Sequence, residues 1–197
     1  MAFDWYEIIK PEDSISQGDI INCPVPVLTK TETYPFYTVD GADITGIVMT
    51  QACDLENGRP KVNEITICPL KPLSEYIEEK MHEIYRETAD FDYSNLKKKQ
   101  LDRKTSLVEE IKRGDLLDFY LLNKCEIDNR KLLDFNIVLL RYAYRIPVDA
   151  INRIIVEKNE NRLRLQPPYR EHLSFSYAYN FSRIGLPQDI QYNISDI

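Results

Sequence analysis

Two short stretches of this chain bring together side chains able to do chemistry. Thr50-Gln51-Ala52-Cys53-Asp54 sets a hydroxyl, a carboxamide, a thiol and a carboxylate directly after the apolar run Gly46 to Met49. A strand ending there presents these groups at the rim of a sheet, where a rigid scaffold positions functional loops. Tyr169-Arg170-Glu171-His172 sets a guanidinium, a carboxylate and an imidazole on one turn of a helix. If the two stretches meet, Arg170 binds phosphate, His172 acts as acid or base near neutral pH, and Thr50 and Asp54 complete a site for phosphodiester cleavage. The structural alternative is that Asp54 pins its own loop, Arg170 pairs with an acid and His172 bonds backbone, locking the helix onto the sheet. A third arrangement makes Cys53 a nucleophile with His172 as its base and Asp54 behind it.

Other cations are placed to bind rather than react. Arg59 and Lys61 follow an Asn57-Gly58 turn, Arg162 and Arg164 alternate with leucines, and Arg183 lies far along the last helix. Gln51 has the donor and acceptor pair suited to reading a base edge. The charge is uneven: residues 1–129 hold 15 Lys and Arg against 25 Asp and Glu, whereas residues 130–183 hold 10 against 5. The basic third either meets phosphate or an acidic protein surface, or docks on the acidic part of its own chain. A net charge of −7 argues against avid, nonspecific nucleic-acid binding. Cys23, Cys53, Cys68 and Cys125 are scattered singly and the histidines are His82 and His172, so no metal-ligand spacing is present and no metal or cofactor is expected. Cys23 and Cys68 fall in strand-like runs and read as small buried hydrophobes.

The elements that must position these groups follow from periodicity. Gly18 to Cys23, Ile44 to Thr50 and Glu64 to Leu70 are short, β-branched runs bounded by turn residues. The stretch from Pro24 to Gly41, with three prolines, reads as a long loop. Ser74 is the expected cap of a first helix with Leu73, Ile77, Met81 and Ile84 as its apolar stripe; a second helix runs from about Ser94 to Lys112 and stops at Gly114. Lys97-Lys98-Lys99 is its solvated face. Leu116 to Leu122 and Asp134 to Tyr144 read as strands joined by a polar turn, Val148 to Val156 as a short helix or edge strand, and Arg162 to Leu165 as a half-buried strand with arginines outward. A terminal helix begins at Pro167-Pro168 and stops at Gly185, with Leu173, Tyr177, Phe181 and Ile184 facing the core. Trp5, with Phe3 and Tyr6, is an aromatic anchor expected to dock on its own domain.

Two resemblances rest on these residues. Gly18-Asp19-Ile20, then Gly46-Ile47-Val48-Met49-Thr50-Gln51, then Ile65-Thr66-Ile67-Cys68-Pro69-Leu70 resembles the start of PemK/MazF-like toxins, SH3-like barrels that cut single-stranded RNA. Those toxins carry an arginine just before the second strand; here that place is Thr45-Gly46 and the arginine is missing. Thr50 matches the toxin hydroxyl residue without its cationic partner. Thr50-Gln51-Ala52-Cys53-Asp54-Leu55, with Pro168 to Leu173 and Phe181 to Pro187, is similar to an uncharacterised group of bacterial proteins sharing those motifs in that order.

The expected architecture is therefore α+β: an SH3-like, PemK/MazF-type, mostly antiparallel barrel in a single domain of 197 residues. Its strands fall at about 16–70 and 115–166, a helical insertion at about 74–113 and a terminal helix at about 168–184. The resemblance implies a non-catalytic binding or regulatory component of a bacterial stress or phage-defence system, some of whose CRISPR-linked signalling operons are similar in carrying a MazF-like part. It would act on a protein partner or RNA. The alternative is a metal-independent single-strand endoribonuclease using Thr50, Asp54, Arg170 and His172, with Gln51, Arg59, Lys61, Arg162, Arg164 and Arg183 binding. No run approaches the roughly 20 apolar residues of a membrane span, and Asp4, Glu7 and Lys10 spoil a signal peptide, so a cytoplasmic location is expected. A homodimer is allowed, since toxins of this shape dimerise.

Overall fold

A computed structural model describes residues 4–56, 60–86, 88 and 91–181. In chain order the elements are β1 (Tyr6–Ile9), β2 (Asp19–Lys30), β3 (Tyr37–Val48), a 3₁₀ turn (Ala52–Asp54), β4 (Glu64–Pro72), α1 (Leu73–Ile84), α2 (Lys98–Lys112), β5 (Phe119–Leu122), β6 (Cys125–Ile127), β7 (Arg130–Leu133), β8 (Asn136–Leu139), β9 (Tyr144–Pro147), α3 (Val148–Lys158), β10 (Arg162–Leu165) and α4 (Tyr169–Phe181). The class is α+β. The main sheet runs β1-β10-β2-β3-β4-β8-β5, with β9 also on β4, and every pairing is antiparallel.

Two-residue alternation distributes the core to both faces of this sheet. Ile21, Cys23 and Val25 of β2, Val48 of β3 and Ile65 and Ile67 of β4 pack with Ile151 and Ile155 of α3. Their neighbours Ile20, Ile47 and Cys68 turn the other way, onto Val138, Leu140, Leu165 and Leu173 of α4. Helices α1 and α2 form a third cluster around Ile137. Burial raises the pKa of the Cys23 thiol and pushes that of Cys68 up to about 12, so both stay protonated hydrophobes, as the sequence suggested.

The sheet is curved but open. Among the described residues its outermost strands, β1 and β5, share no ladder; instead the Tyr6 hydroxyl donates to the Asn123 carbonyl at 2.7 Å. Strand β4 is paired along one edge by β9 and then β8, but not continuously. Ile67 faces Tyr144 and Leu70 faces Val138, so three residues of β4 span six of its partner and the ladder bends there.

Ser74 is not the cap, since α1 starts at Leu73 with Pro72 before it, the strand expected from Asp134 to Tyr144 is divided into β8 and β9, and three further sequence expectations change. Pro24 to Gly41 is not a loop: β2 and β3 pair without interruption from Ile20↔Ile47 to Lys30↔Tyr37. The prolines are tolerated because of where their missing N–H groups point. Gly18 N–H donates to Val48 C=O, and Met49 N–H donates to Thr66 C=O on β4. Even-numbered residues of β3 thus bond β2 and odd-numbered ones face away. Pro24 and Pro26 stand opposite Asp43 and Gly41, so their nitrogens lie on the outer edge of β2, the side where proline costs no ladder bond. Second, the polar Cys125 to Lys131 turn carries its own hairpin, β6–β7, across Asp128 and Asn129 at φ 51° and 60°. Third, α2 starts at Lys98 rather than near Ser94, where the Gln100 side chain accepts the Lys97 amide at 2.7 Å. The helix ends as expected, at Gly114 with φ 76°. Val148 to Lys158 is a helix, ended by Asn159 in the left-handed region. Among the described residues no helix is long and apolar enough to cross a membrane.

Candidate functional site

Gly18-Asp19, which opens the toxin-like motif, is a structural device here. Gly18 turns at φ 86° and its carbonyl accepts the Leu165 amide at 2.9 Å; a Cβ would stand 3.0 Å from the Leu165 oxygen. The turn drops Asp19 wholly out of solvent, where its carboxylate receives the Nε of Arg162 at 2.8 Å, the Nε and an Nη of Arg164, and the Ser16 amide at 3.1 Å. Arg162 also donates to the carbonyls of Lys10, Asp13 and Ser14. Burial opposes the charge on Arg164, and the Asp19 hydrogen bond and charge outweigh it, leaving the pKa raised. This corrects the outward arginines of β10. Arg162 is buried and Arg164 half-buried, because the face they share looks onto Asp19, which both of them hold.

Thr50 follows the end of β3, and its hydroxyl accepts the Thr66 amide at 2.7 Å, extending the β3–β4 register by one side chain. Gln51 is exposed and leads into the 3₁₀ turn. The Asp54 carbonyl accepts the Lys61 amide at 2.8 Å, which ties the following loop, and Lys61 itself is exposed. Cys53 is exposed rather than buried, its thiol 3.6 Å from Gln51 Oε1 and 3.9 Å from Asp54 Oδ1. It lines a cavity of about 620 Å³ with Glu7, Ser14, Glu56 and Arg164. The place of the toxin arginine is filled by other contacts: the Thr45 hydroxyl donates to Asn22 at 2.6 Å, and a Cβ on Gly46 would stand 2.4 Å from Ile67.

The terminal helix sends its two candidate residues to different neighbours. On one side Gln17 Nε2 donates to Ser174 at 2.8 Å and to the Met49 carbonyl at 3.2 Å, seating α4 beside the strand end that carries Thr50. Arg170, one turn before Ser174, pairs with its neighbour Glu171 at 2.7 Å rather than with Asp54. On the other side His172 is exposed, with Nδ1 3.4 Å from the Tyr120 hydroxyl and the two rings edge to face. The Tyr120 hydroxyl also donates to the Tyr169 carbonyl at 3.3 Å, and burial, with the Tyr169 phenol nearby, pushes its pKa up to about 12. Cys53 and His172 therefore line separate cavities, and the cysteine-hydrolase arrangement is not assembled. Arg59 and Arg183 lie outside the described residues.

His172 instead belongs to a largely apolar cleft of about 850 Å³ between α2, β5 and α4. Trp5 stacks on Tyr169 at 3.7 Å along one wall, so the N-terminal aromatic docks on its own domain as expected. Phe175 and Tyr179, stacked on each other at 6.0 Å, form the helix side, and Phe135 lies opposite. Phe175 is 64% and Tyr179 47% exposed. Sequence reasoning missed this cleft, although the signal was present. Phe175 and Tyr179 make a second apolar stripe at four-residue spacing, beside the Leu173 and Tyr177 stripe that faces the core. Phe181, placed in that core stripe, is 58% exposed, while Asn180 is buried and donates to the Leu117 carbonyl at 2.6 Å. Among the described residues no group of three His, Cys, Asp or Glu is arranged to hold a metal. Comparisons with protein families, curated proteins and solved structures return no match.

Proposed function

We propose that this chain is a non-catalytic binding component that grips a protein partner through the cleft between α2, β5 and α4. The observation that carries the reading is a large apolar cleft walled by the stacked rings of Phe175, mostly exposed, and Tyr179, half exposed. Aromatic side chains in that setting are the usual anchors of an interface. Of the groups a nuclease would recruit, Thr50 holds the Thr66 amide, and Arg162 and Arg164 hold Asp19. The resemblance to PemK/MazF-like toxins supports an SH3-like ancestry for the curved sheet, whose ends approach through Tyr6 and Asn123. It also supports a setting in bacterial stress or phage defence.

A second reading, single-strand RNA cleavage, is favoured by one observation: exposed His172 sits in that same cleft, beside rings on which bases stack. Two measurements on the purified full chain separate the readings. A mixed single-stranded RNA pool is incubated with the protein and the fragment ends are sequenced; intact RNA is expected. Specific ends that vanish in Arg170→Ala or His172→Ala would replace the binding reading with the nuclease. Tagged wild type and Phe175→Glu are then recovered from the native host, and a partner held by wild type and lost from the variant is expected. Equal recovery by both would remove the cleft from the interaction.

A further inference from the structure

Strands β2 and β3 continue well past the sheet that holds them. Strand β10 pairs β2 only at Asp19 and Ile20, and β4 pairs β3 only from Gly46 to Val48. Residues 24–43 therefore project as a two-stranded arm, a unit of marginal stability when it stands alone. One face of the arm extends the core through Cys23, Val25 and Val27. The opposite face carries Leu28 directly across from Val39, 66% and 61% exposed, with Tyr37 beside them and Tyr34 and Phe36 at the tip.

The two edges of the arm are not alike. On the β2 side the Asn22 carbonyl is taken by Lys158 Nζ at 3.2 Å, and Pro24 and Pro26 present no N–H, so that edge is closed to another strand. On the β3 side Tyr37, Val39, Gly41 and Asp43 turn their N–H and C=O groups outward, by the parity that Gly18 and Met49 establish. Among the described residues no strand covers them, and β3 carries no proline. A blocked edge beside an open one, over an exposed apolar row, is the pattern of a strand built to be extended.

We propose that the open edge of β3 pairs antiparallel with the same edge of a second copy of this chain, about a two-fold axis at Val39. A two-fold interface opposes each patch to itself, so the register must suit the sequence read against its own reverse. Centring on Val39 lines up Leu28, Val39 and the second copy's Val39 and Leu28 as one aliphatic row across four strands. It also sets Tyr37 over Gly41, where a ring covers the gap a glycine leaves in a strand, and Thr38 opposite Asp40. Centring on Asp40 would oppose two carboxylates, and centring on Gly41 would set Val39 against Asp43. The charge pattern thus favours the register centred on Val39 over those that bring acids together or set one against Val39. The product is a four-stranded ribbon joining two folded domains, which leaves the cleft on α4 of each free for another protein. This inference stands apart from the binding reading above.

The test is the oligomeric state of the full chain by light scattering across the micromolar range, with amide exchange read at the arm. Wild type is expected to be a dimer, with the Val39 and Gly41 amides exchanging more slowly as concentration rises. Val39→Pro removes only an outward N–H and is expected to be a monomer with an unchanged circular dichroism spectrum. Val39→Lys, which brings two ammonium groups together at the axis, is expected to be a monomer whose state does not depend on how proline is tolerated. A wild-type monomer throughout the range would overturn the proposal. So would a dimer that persists in Val39→Lys, or one whose Val39 and Gly41 amides stay unprotected.

Discussion

Strand β10 and helix α4 are separated only by Gln166, Pro167 and Pro168, and both carry arginine, yet the fold uses the charge in opposite ways. In β10 the Arg162 side chain is 5% exposed and holds a wholly buried Asp19 together with three backbone carbonyls of the Lys10 to Ser14 segment. In α4 the Arg170 side chain is 24% exposed, and its guanidinium pairs with the adjacent Glu171, which is 55% exposed. The difference teaches that a guanidinium is a binding group only if the fold leaves its donors unspent. Alternation places residues two apart on one face of a strand, but what that face meets is decided elsewhere in the chain, here by the Gly18 turn.

The largest way to break this contrast is to remove its centre. Asp19→Ala leaves two guanidinium groups without their carboxylate in a dry site, and loss of one partner of a buried ion cluster costs about 3–5 kcal/mol. Urea unfolding should show that loss; a change below about 1 kcal/mol would place the cluster with ordinary surface pairs. A smaller effect follows from forcing another arginine into the same sheet. Gly46→Arg adds a cation near the end of β3, where its Cβ meets the Ile67 side chain. Overpacking of this kind costs about 1–3 kcal/mol, and unchanged stability would show that β3 has room there.

What was legible in the sequence was local. The three apolar strands, the helical insertion, the Gly114 stop and the burial of Cys23 and Cys68 all follow from periodicity and turn chemistry within a few residues of themselves. What was not legible depended on partners distant in the chain. Pro24 and Pro26 read as loop residues until the edge they face is known, and that edge is set by β3. Arg162 and Arg164 read as outward until Asp19, more than 140 residues away in sequence, is placed against them. Of the candidate site, Thr50 follows the end of β3 and His172 lies on the first turn of α4, a placement that strand and helix periodicity makes readable. Their separation, one serving the β3–β4 register and the other facing Tyr120, is a property of how α4 is seated by Gln17 and Ser174.

The contrast is also one of charge state, and pH sharpens it. Tyr120 in the cleft, and Tyr6 outside its lining, are neutral phenols: burial raises Tyr6, with Cys125 and Tyr120 adding to it, and burial with the Tyr169 phenol nearby pushes Tyr120 from 10.0 to about 12. A folded pKa above the unfolded one stabilises in full below the unfolded value and is lost as pH rises through the folded value. The unfolding midpoint should therefore fall as pH rises from about 10 to 12, and Tyr120→Phe should flatten that fall. A midpoint independent of pH over this window would mean that the phenols of the cleft are already in water.

The smallest effect is the most discriminating. Among the described residues Arg170, unlike Arg162, has no buried acid and no carbonyl to satisfy, so Arg170→Ala should shift stability by no more than about 1 kcal/mol, although its side chain is 24% exposed. Arg162→Ala should instead strip Asp19 of one of its two cations and expose the carbonyls of Lys10, Asp13 and Ser14 to an unfilled site. Urea titrations of the two variants run together measure the contrast directly. If Arg170→Ala proves as costly as Arg162→Ala, the helix arginine holds the fold together no less than the strand arginine does. A stable Arg170→Ala leaves the residue available, and any interaction it then loses can be assigned to the surface of α4 rather than to unfolding.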